Sequence, residues 1–166
     1  MELDNKRQNI NYYSTLKYII DMSGLSVKDF ANSATISESL IRHANDNWNP
    51  KYTTIEKICS VIHISIPSFY IISEYIEGNC KQVKVNYIIH NQQLEPEDLC
   101  KKLKAWRKKL KISEGKLAAT SGFDKSNISK RENIKWNSIM LCSTLEIYAK
   151  CYGLTMKQLS SYLYEY

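Results

Sequence analysis

Laid against itself at an offset of 87 residues, the chain matches GLSVKDFANSATISESLI (24–41) with KISEGKLAATSGFDKSNI (111–128) without a gap. Ser26 falls on Ser113, Phe30 on Leu117, Ala31 on Ala118, Thr35 on Gly122 and Ile41 on Ile128. Farther along the offset becomes 90, and Ile55 meets Leu145, Cys59 meets Ala149 and Phe69 meets Leu159. A chain that repeats itself in this way is expected to fold as two copies of one unit, each of roughly 70 residues, a workable size for a small domain. The boundaries read as 1–77 and 95–166, joined by a linker at 78–94.

Within each copy the apolar spacing is helical. Tyr12, Leu16 and Ile19 recur at helix periodicity in the first, as do Leu99, Leu103, Trp106 and Leu110 in the second. Ser26 with Asp29, and Ser113 with Lys116, open the second helices. Ser26 is the better N-cap, because Asp29 places an acidic side chain where the free backbone N–H groups point. Ser37 and Asp124 cap the third helices; the fourth run over 53–62 and 138–152, and the fifth begin near Pro67 and Thr155. Gly78 and Asn79 end the first copy, and Pro96 behind Glu95 starts the second. Between them VKVNYII (83–89) is rich in β-branched residues and reads as a short extended strand or a packed connector. No long stretch alternates as a sheet would. The expected fold is all-α, with five short helices in each of two tandem domains.

Composition narrows the function classes. The apolar and charged fractions are those of a soluble globular protein, and no apolar run reaches the ~18 residues needed to span a membrane. MELDNKRQN at the start has no apolar segment behind it, so no secretory signal is expected. The five cysteines are scattered and never in a CxxC spacing, which points to free thiols in a reducing cytoplasm, that of a bacterial cell or of a phage's host. Cys59 and His63 stand four apart, but no second ligand pair accompanies them, so no metal is expected. There is no nucleophile–base constellation or phosphate loop; catalytic residues, cofactors and enzyme activity are not expected.

Charge is unevenly spread. Residues 1–80 carry seven Lys/Arg against nine Asp/Glu, a net of −2, whereas residues 81–166 carry sixteen against eight, a net of +8. Such asymmetry points to a polyanionic partner for the second half, most often nucleic acid. In KKLKAWRKKLK (101–111), Lys101, Lys102, Lys104, Lys108, Lys109 and Lys111 lie off the apolar stripe, as an electrostatic apron for DNA or as a solvated helix face.

The segment KISEGKLAATSGFDKSNISKRE (111–132) resembles the helix-turn-helix of Cro/cI-type (XRE) DNA-binding domains, the lambda-repressor-like fold. The positions that carry the likeness are Ile112, Ser113, Leu117, Ala118, Gly122, Phe123, Asp124, Ile128, Ser129 and Glu132. YAKCYGLTMKQL (148–159) is similar to the family's closing helices, and the likeness spans about 60 residues of each half, more weakly in the first. Each scaffold position has a physical cause. Ala118 is small where two helices cross, Gly122 relieves a Cβ clash at a corner needing positive φ, and Ile128 plugs the recognition helix into the core.

The resemblance implies a structural ion pair between Arg107 and Glu132. The corresponding first-copy positions are Ile20 and Asn45, so both partners are lost together, as a paired buried role requires. It also implies that Lys125, Ser126 and Asn127, with Lys130 one turn on, meet base edges. Lysine suits guanine acceptors, and asparagine pairs with adenine through two hydrogen bonds. Asn133 and Lys135 fall where the family touches phosphate, and Lys108 joins them from the basic run. Two positions depart from the pattern: Glu114 replaces an opening glutamine, and Arg131 stands where an apolar residue is common.

The first copy's recognition segment, SESLIRHAN (37–45), puts Glu38 and Leu40 at leading positions, with Val27 in place of the polar opener. It suits dimer contacts or a protein partner better than DNA. The expected function is that of a sequence-specific transcriptional regulator, a repressor, working on double-stranded DNA as a homodimer through SSYLYEY (160–166) or the first domain. The rival expectations are a protein-interaction module on the same fold, such as an antitoxin or phage-encoded inhibitor, and an RNA-binding regulator.

Overall fold

The computed structural model describes residues 10–88, 92–133 and 139–164. Ten α-helices occur among them: α1 (Tyr12–Ser23), α2 (Val27–Ala34), α3 (Glu38–Arg42), α4 (Tyr52–Val61), α5 (Ile66–Ile76), α6 (Pro96–Lys109), α7 (Glu114–Ser121), α8 (Lys125–Arg131), α9 (Cys142–Cys151) and α10 (Met156–Leu163). No strand is present among the described residues, which pair only at two isolated bridges. The all-α expectation holds.

Local chemistry explains where the helices begin. Ser26 and Ser113 accept the backbone N–H groups of Asp29 and Lys116, both at 3.1 Å, and Ser26 Oγ also donates to the Asp29 carboxylate at 2.6 Å. Thr155 and Gln158 cap α10 reciprocally, each side chain taking the other's backbone N–H. Asp124 holds the N-cap position of α8 differently from the expectation: its carboxylate makes no capping bond, and its carbonyl receives Asn127 and Ile128. The fourth helix of the second half starts at Cys142 rather than 138, because Met140 and Leu141 are spent in a bridge to the first half.

The turn between the second and third helices has the same backbone shape in both halves. Thr35 (φ 55°) and Gly122 (φ 74°) are both left-handed C-caps, although only glycine takes that conformation without steric penalty. Beneath these corners Phe30, Ile41, Leu117 and Ile128 are buried. Fully burying a side chain such as Ile128 stabilises the fold by ~2 kcal/mol.

The 83–89 segment is a connector docked on the first half. Tyr87 bridges Ile64, Ser65 N–H donates to the Asn86 carbonyl at 2.8 Å, and Ile88 N–H donates to the His63 carbonyl at 2.7 Å; Ile89 lies outside the described residues. Farther on, Leu94 N–H reaches Glu56 Oε1 at 2.8 Å and the Tyr52 hydroxyl reaches the Leu94 carbonyl at 2.9 Å. One apolar expectation needs correcting. Leu110 is exposed, since α6 ends at Lys109 and Leu110 turns off the stripe as its cap.

The two halves meet along a seam. α5 packs on α10 more extensively than any other pair of helices, and Lys51 forms an antiparallel bridge with Leu141. Tyr52 N–H donates to the Met140 carbonyl at 3.2 Å and Cys142 N–H to the Pro50 carbonyl at 2.9 Å. A buried glutamate, Glu56, and a half-buried one, Glu146, line this seam, and each takes a tyrosine hydroxyl from the opposite half. Tyr12 donates to Glu146 Oε1 at 2.6 Å, and Tyr164 donates to Glu56 Oε1 at 2.7 Å.

Candidate nucleic-acid interface

α8 is held from beneath and left open above. Ile128 is fully buried, while Lys125, Ser126 and Lys130 are exposed and Asn127 is half-buried at the helix edge. None of these four side chains has a hydrogen-bond or ion-pair partner among the described residues, and Asn133 just beyond the helix is likewise exposed. Lys135 lies outside the described residues. Polar groups that meet only water are inexpensive to hand over to another partner, because no internal bond must break first.

Behind α8 the Arg107–Glu132 pair forms as expected. Arg107 Nε and Nη2 each reach a separate carboxylate oxygen of Glu132 at 2.7 Å, and Nη1 donates to the Ile112 carbonyl at 2.7 Å. Both side chains are buried, so the bidentate geometry and the extra carbonyl offset their desolvation. The hydrogen bonds that Arg107 donates to Glu132 raise its guanidinium above the ordinary pKa. The clamp ties the end of α6 to the end of α8 and fixes the angle at which α8 stands off the body.

The two departures from the family pattern find structural employment. Glu114 approaches Arg107 Nη2 at 3.5 Å and joins the clamp, where a neutral glutamine would add no charge. Arg131 lays its guanidinium 4.2 Å from the centre of the Phe123 ring and so fills an apolar position with a flat cation.

The basic run is less free than its composition implies. Lys101 pairs with Glu97 at 2.8 Å and Asp98 at 3.7 Å, Lys102 donates to the Leu163 carbonyl, and Lys109 sits 4.6 Å over the Trp106 ring. Lys104, Lys108 and Lys111 meet no carboxylate among the described residues; Lys108 and Lys111 are exposed and Lys104 is half-buried. Three of the six lysines thus have no ion pair, carbonyl or ring contact among the described residues.

The equivalent surface of the first half is closed on itself. On α3, Arg42 is tied to Glu38 one turn earlier, at 2.5 Å and 2.6 Å, and His43 Nδ1 lies 2.8 Å from the Ser39 carbonyl. Ile20 and Asn45 stand where Arg107 and Glu132 form their clamp. A cleft of about 310 Å³ opens beside Ile20, lined by Leu16, Ile20, Val27 and Ile41 together with Tyr13, Lys17, Asp21 and Arg42. Cys59 and His63 do not converge: the cysteine is buried, its thiol pKa pushed up by desolvation, and the histidine is exposed.

The aromatic tail expected to mediate dimerisation is used within the chain. Leu163 is buried, the Tyr162 ring lies tilted with its centre 4.4 Å from that of Trp106, and Tyr164 bonds Glu56. Tyr166 lies outside the described residues. Sequence reasoning passed over Glu56 and Glu146, although the 90-residue offset aligns them. Burial pushes the Glu56 carboxyl up to about 7, against the hydrogen bonds from Tyr164 and Leu94, and burial raises Glu146 too. Among the described residues no helix is long and apolar enough to cross a membrane. Neither a protein-family model, nor a curated protein, nor a solved structure matches the chain.

Proposed function

We propose that this chain is a sequence-specific duplex-DNA-binding regulator, a repressor, made of two tandem lambda-repressor-like helix-turn-helix domains, α1–α5 and α6–α10. The observation that carries the reading is the contrast between α8 and α3. On α8, Lys125, Ser126, Asn127 and Lys130 have no partner among the described residues, whereas Arg42 on α3 is neutralised by Glu38. A helix that presents unpaired donors on one face, locked to the body by Ile128 and the Arg107–Glu132 clamp, suits readout in a major groove. Lys108 and Asn133 flank it as phosphate contacts, with Lys135 assigned the same role by sequence.

The test is a titration of variants against selected and scrambled duplexes at two salt concentrations. Lys125→Ala and Asn127→Ala should each cost ~1–3 kcal/mol at the selected site and relax preference at one base pair. Lys108→Ala should weaken all duplexes alike and lower the salt slope by about one unit. Arg42→Ala should leave sequence preference in place. Loss of preference through Arg42→Ala, with Lys125→Ala neutral, would put the reader in the wrong half.

A second reading rests on the first half alone. Its paired α3 surface and apolar cleft suit a protein partner, as in an antitoxin or inhibitor. The two readings separate in one experiment: salt-sensitive binding to duplex DNA and not to RNA supports the first, and no binding to either leaves the second.

A further inference from the structure

The seam between the halves has a property that packing alone does not require. Under the 90-residue offset, Pro50, Lys51 and Tyr52 correspond to Met140, Leu141 and Cys142. The bridge therefore joins Lys51 to its own equivalent, and its two bonds, Tyr52 N–H to Met140 and Cys142 N–H to Pro50, are one bond made twice. α5 and α10 are also equivalents, and they pack on each other; Phe69 and Leu159, which correspond, are both fully buried. Glu56 and Glu146 correspond as well, and each receives a tyrosine from across the seam, although Tyr12 and Tyr164 are not equivalents and these side-chain bonds do not share the reciprocity of the backbone. A contact in which i meets j while j meets i is the signature of a two-fold axis between identical subunits. Here both subunits are parts of one chain.

Resting on the DNA-binding reading above, we infer that the protein occupies its DNA as a single chain, on a site specified in one half only. Helix-turn-helix proteins ordinarily obtain two readers by pairing two copies, and the operator then mirrors their symmetry. In this chain the self-complementary surface is already satisfied: Leu159, Leu163 and Phe69 are buried in it, and Tyr164, in the segment expected to bind a second copy, is bonded to Glu56. The symmetry is kept in the backbone and lost in the readers, since α8 carries unpaired donors and α3 a neutralised arginine. The bound sequence should accordingly lack an inverted repeat.

The experiment uses the full chain. Light scattering after size exclusion, over a hundredfold range of concentration, should give the mass of one chain, and one chain per duplex with selected DNA. The selected sequences should share one uninterrupted block. A covalent probe judges the seam independently. Lys51 and Leu141 face each other without hydrogen bonds between their own backbones, a pairing whose Cα atoms stand ~4.5 Å apart and accept a disulfide. Lys51→Cys with Leu141→Cys should oxidise to a cross-link within one chain and leave DNA affinity unchanged within about threefold. Two chains per duplex, an inverted repeat in the selected sites, or cross-linked dimers on a non-reducing gel would overturn the inference. If no duplex is selected, the DNA reading fails with it, while the mass of the free chain and the gel still decide whether the seam closes within one molecule.

Discussion

At the residue scale, Arg107 shows how a buried charge is made tolerable. Its guanidinium meets Glu132 through two bonds and Ile112 through a third, and removing it strands the Glu132 carboxylate in the interior. Arg107→Met should destabilise the protein by ~3–5 kcal/mol in denaturant melts, the usual cost of breaking a buried pair by one partner. Arg107→Met with Glu132→Leu should recover much of that loss, because neither charge is then left unpaired. A double variant no better than the single would argue against the coupling. The resemblance at 111–132 implied the pair, and the repeat agreed with it, since both members are present in one copy and absent together in the other, as Ile20 and Asn45. Glu114 and Arg131 were not legible in the same way: their employment depends on which neighbours the fold delivers, the clamp for one and the Phe123 ring for the other.

At the element scale, the corner between the second and third helices compares the same backbone shape with two residues. Gly122 adopts φ 74° at no steric cost, whereas Thr35 is a β-branched side chain held at φ 55°. Thr35→Gly should therefore raise stability by ~1 kcal/mol, with the Thr35 backbone bonds to Asn32 and Lys57 retained. A Cβ at Gly122 would meet nothing within 4 Å, so Gly122→Ala should lower stability by about 1 kcal/mol through backbone strain alone. Paired thermal melts of the two variants check both signs; a stabilised Gly122→Ala would contradict the account.

At the scale of the whole molecule, the seam places carboxyls where ionisation is costly. Glu56 has its folded-state pKa raised from the ordinary 4.5 to about 7, chiefly by burial. The folded state therefore holds a proton that the unfolded chain releases earlier. Stability from this group is fully present below about pH 4.5 and declines as pH rises through about 7, by an amount on the order of 3 kcal/mol. Glu146, raised for the same reason, adds a loss of the same sign. Melts of the wild type should show a falling transition temperature across pH 5–7.5, and Glu56→Gln should flatten that slope while keeping an acceptor for Tyr164 and Leu94. An unchanged slope in Glu56→Gln would assign the effect elsewhere.

The sequence by itself determined the elements: the helices, most of their caps and the left-handed corner at Gly122. These rest on interactions within a few residues, or on a repeat that displays each position twice, so composition and spacing suffice to read them. The Arg107–Glu132 clamp was an implication of the family resemblance, and the left-handed turn at Thr35 was not foreseen. The seam was decided only by the tertiary structure. Its partners lie 134 residues apart for Tyr12 and Glu146 and 108 for Tyr164 and Glu56, and no local periodicity marks residues so distant as neighbours. The repeat announces two like units but is silent on whether each unit's self-complementary surface turns outward to a second copy or inward to its own duplicate. Chain connectivity resolves that choice, because two surfaces on one chain meet at a high effective concentration that a separate copy must match by mass action.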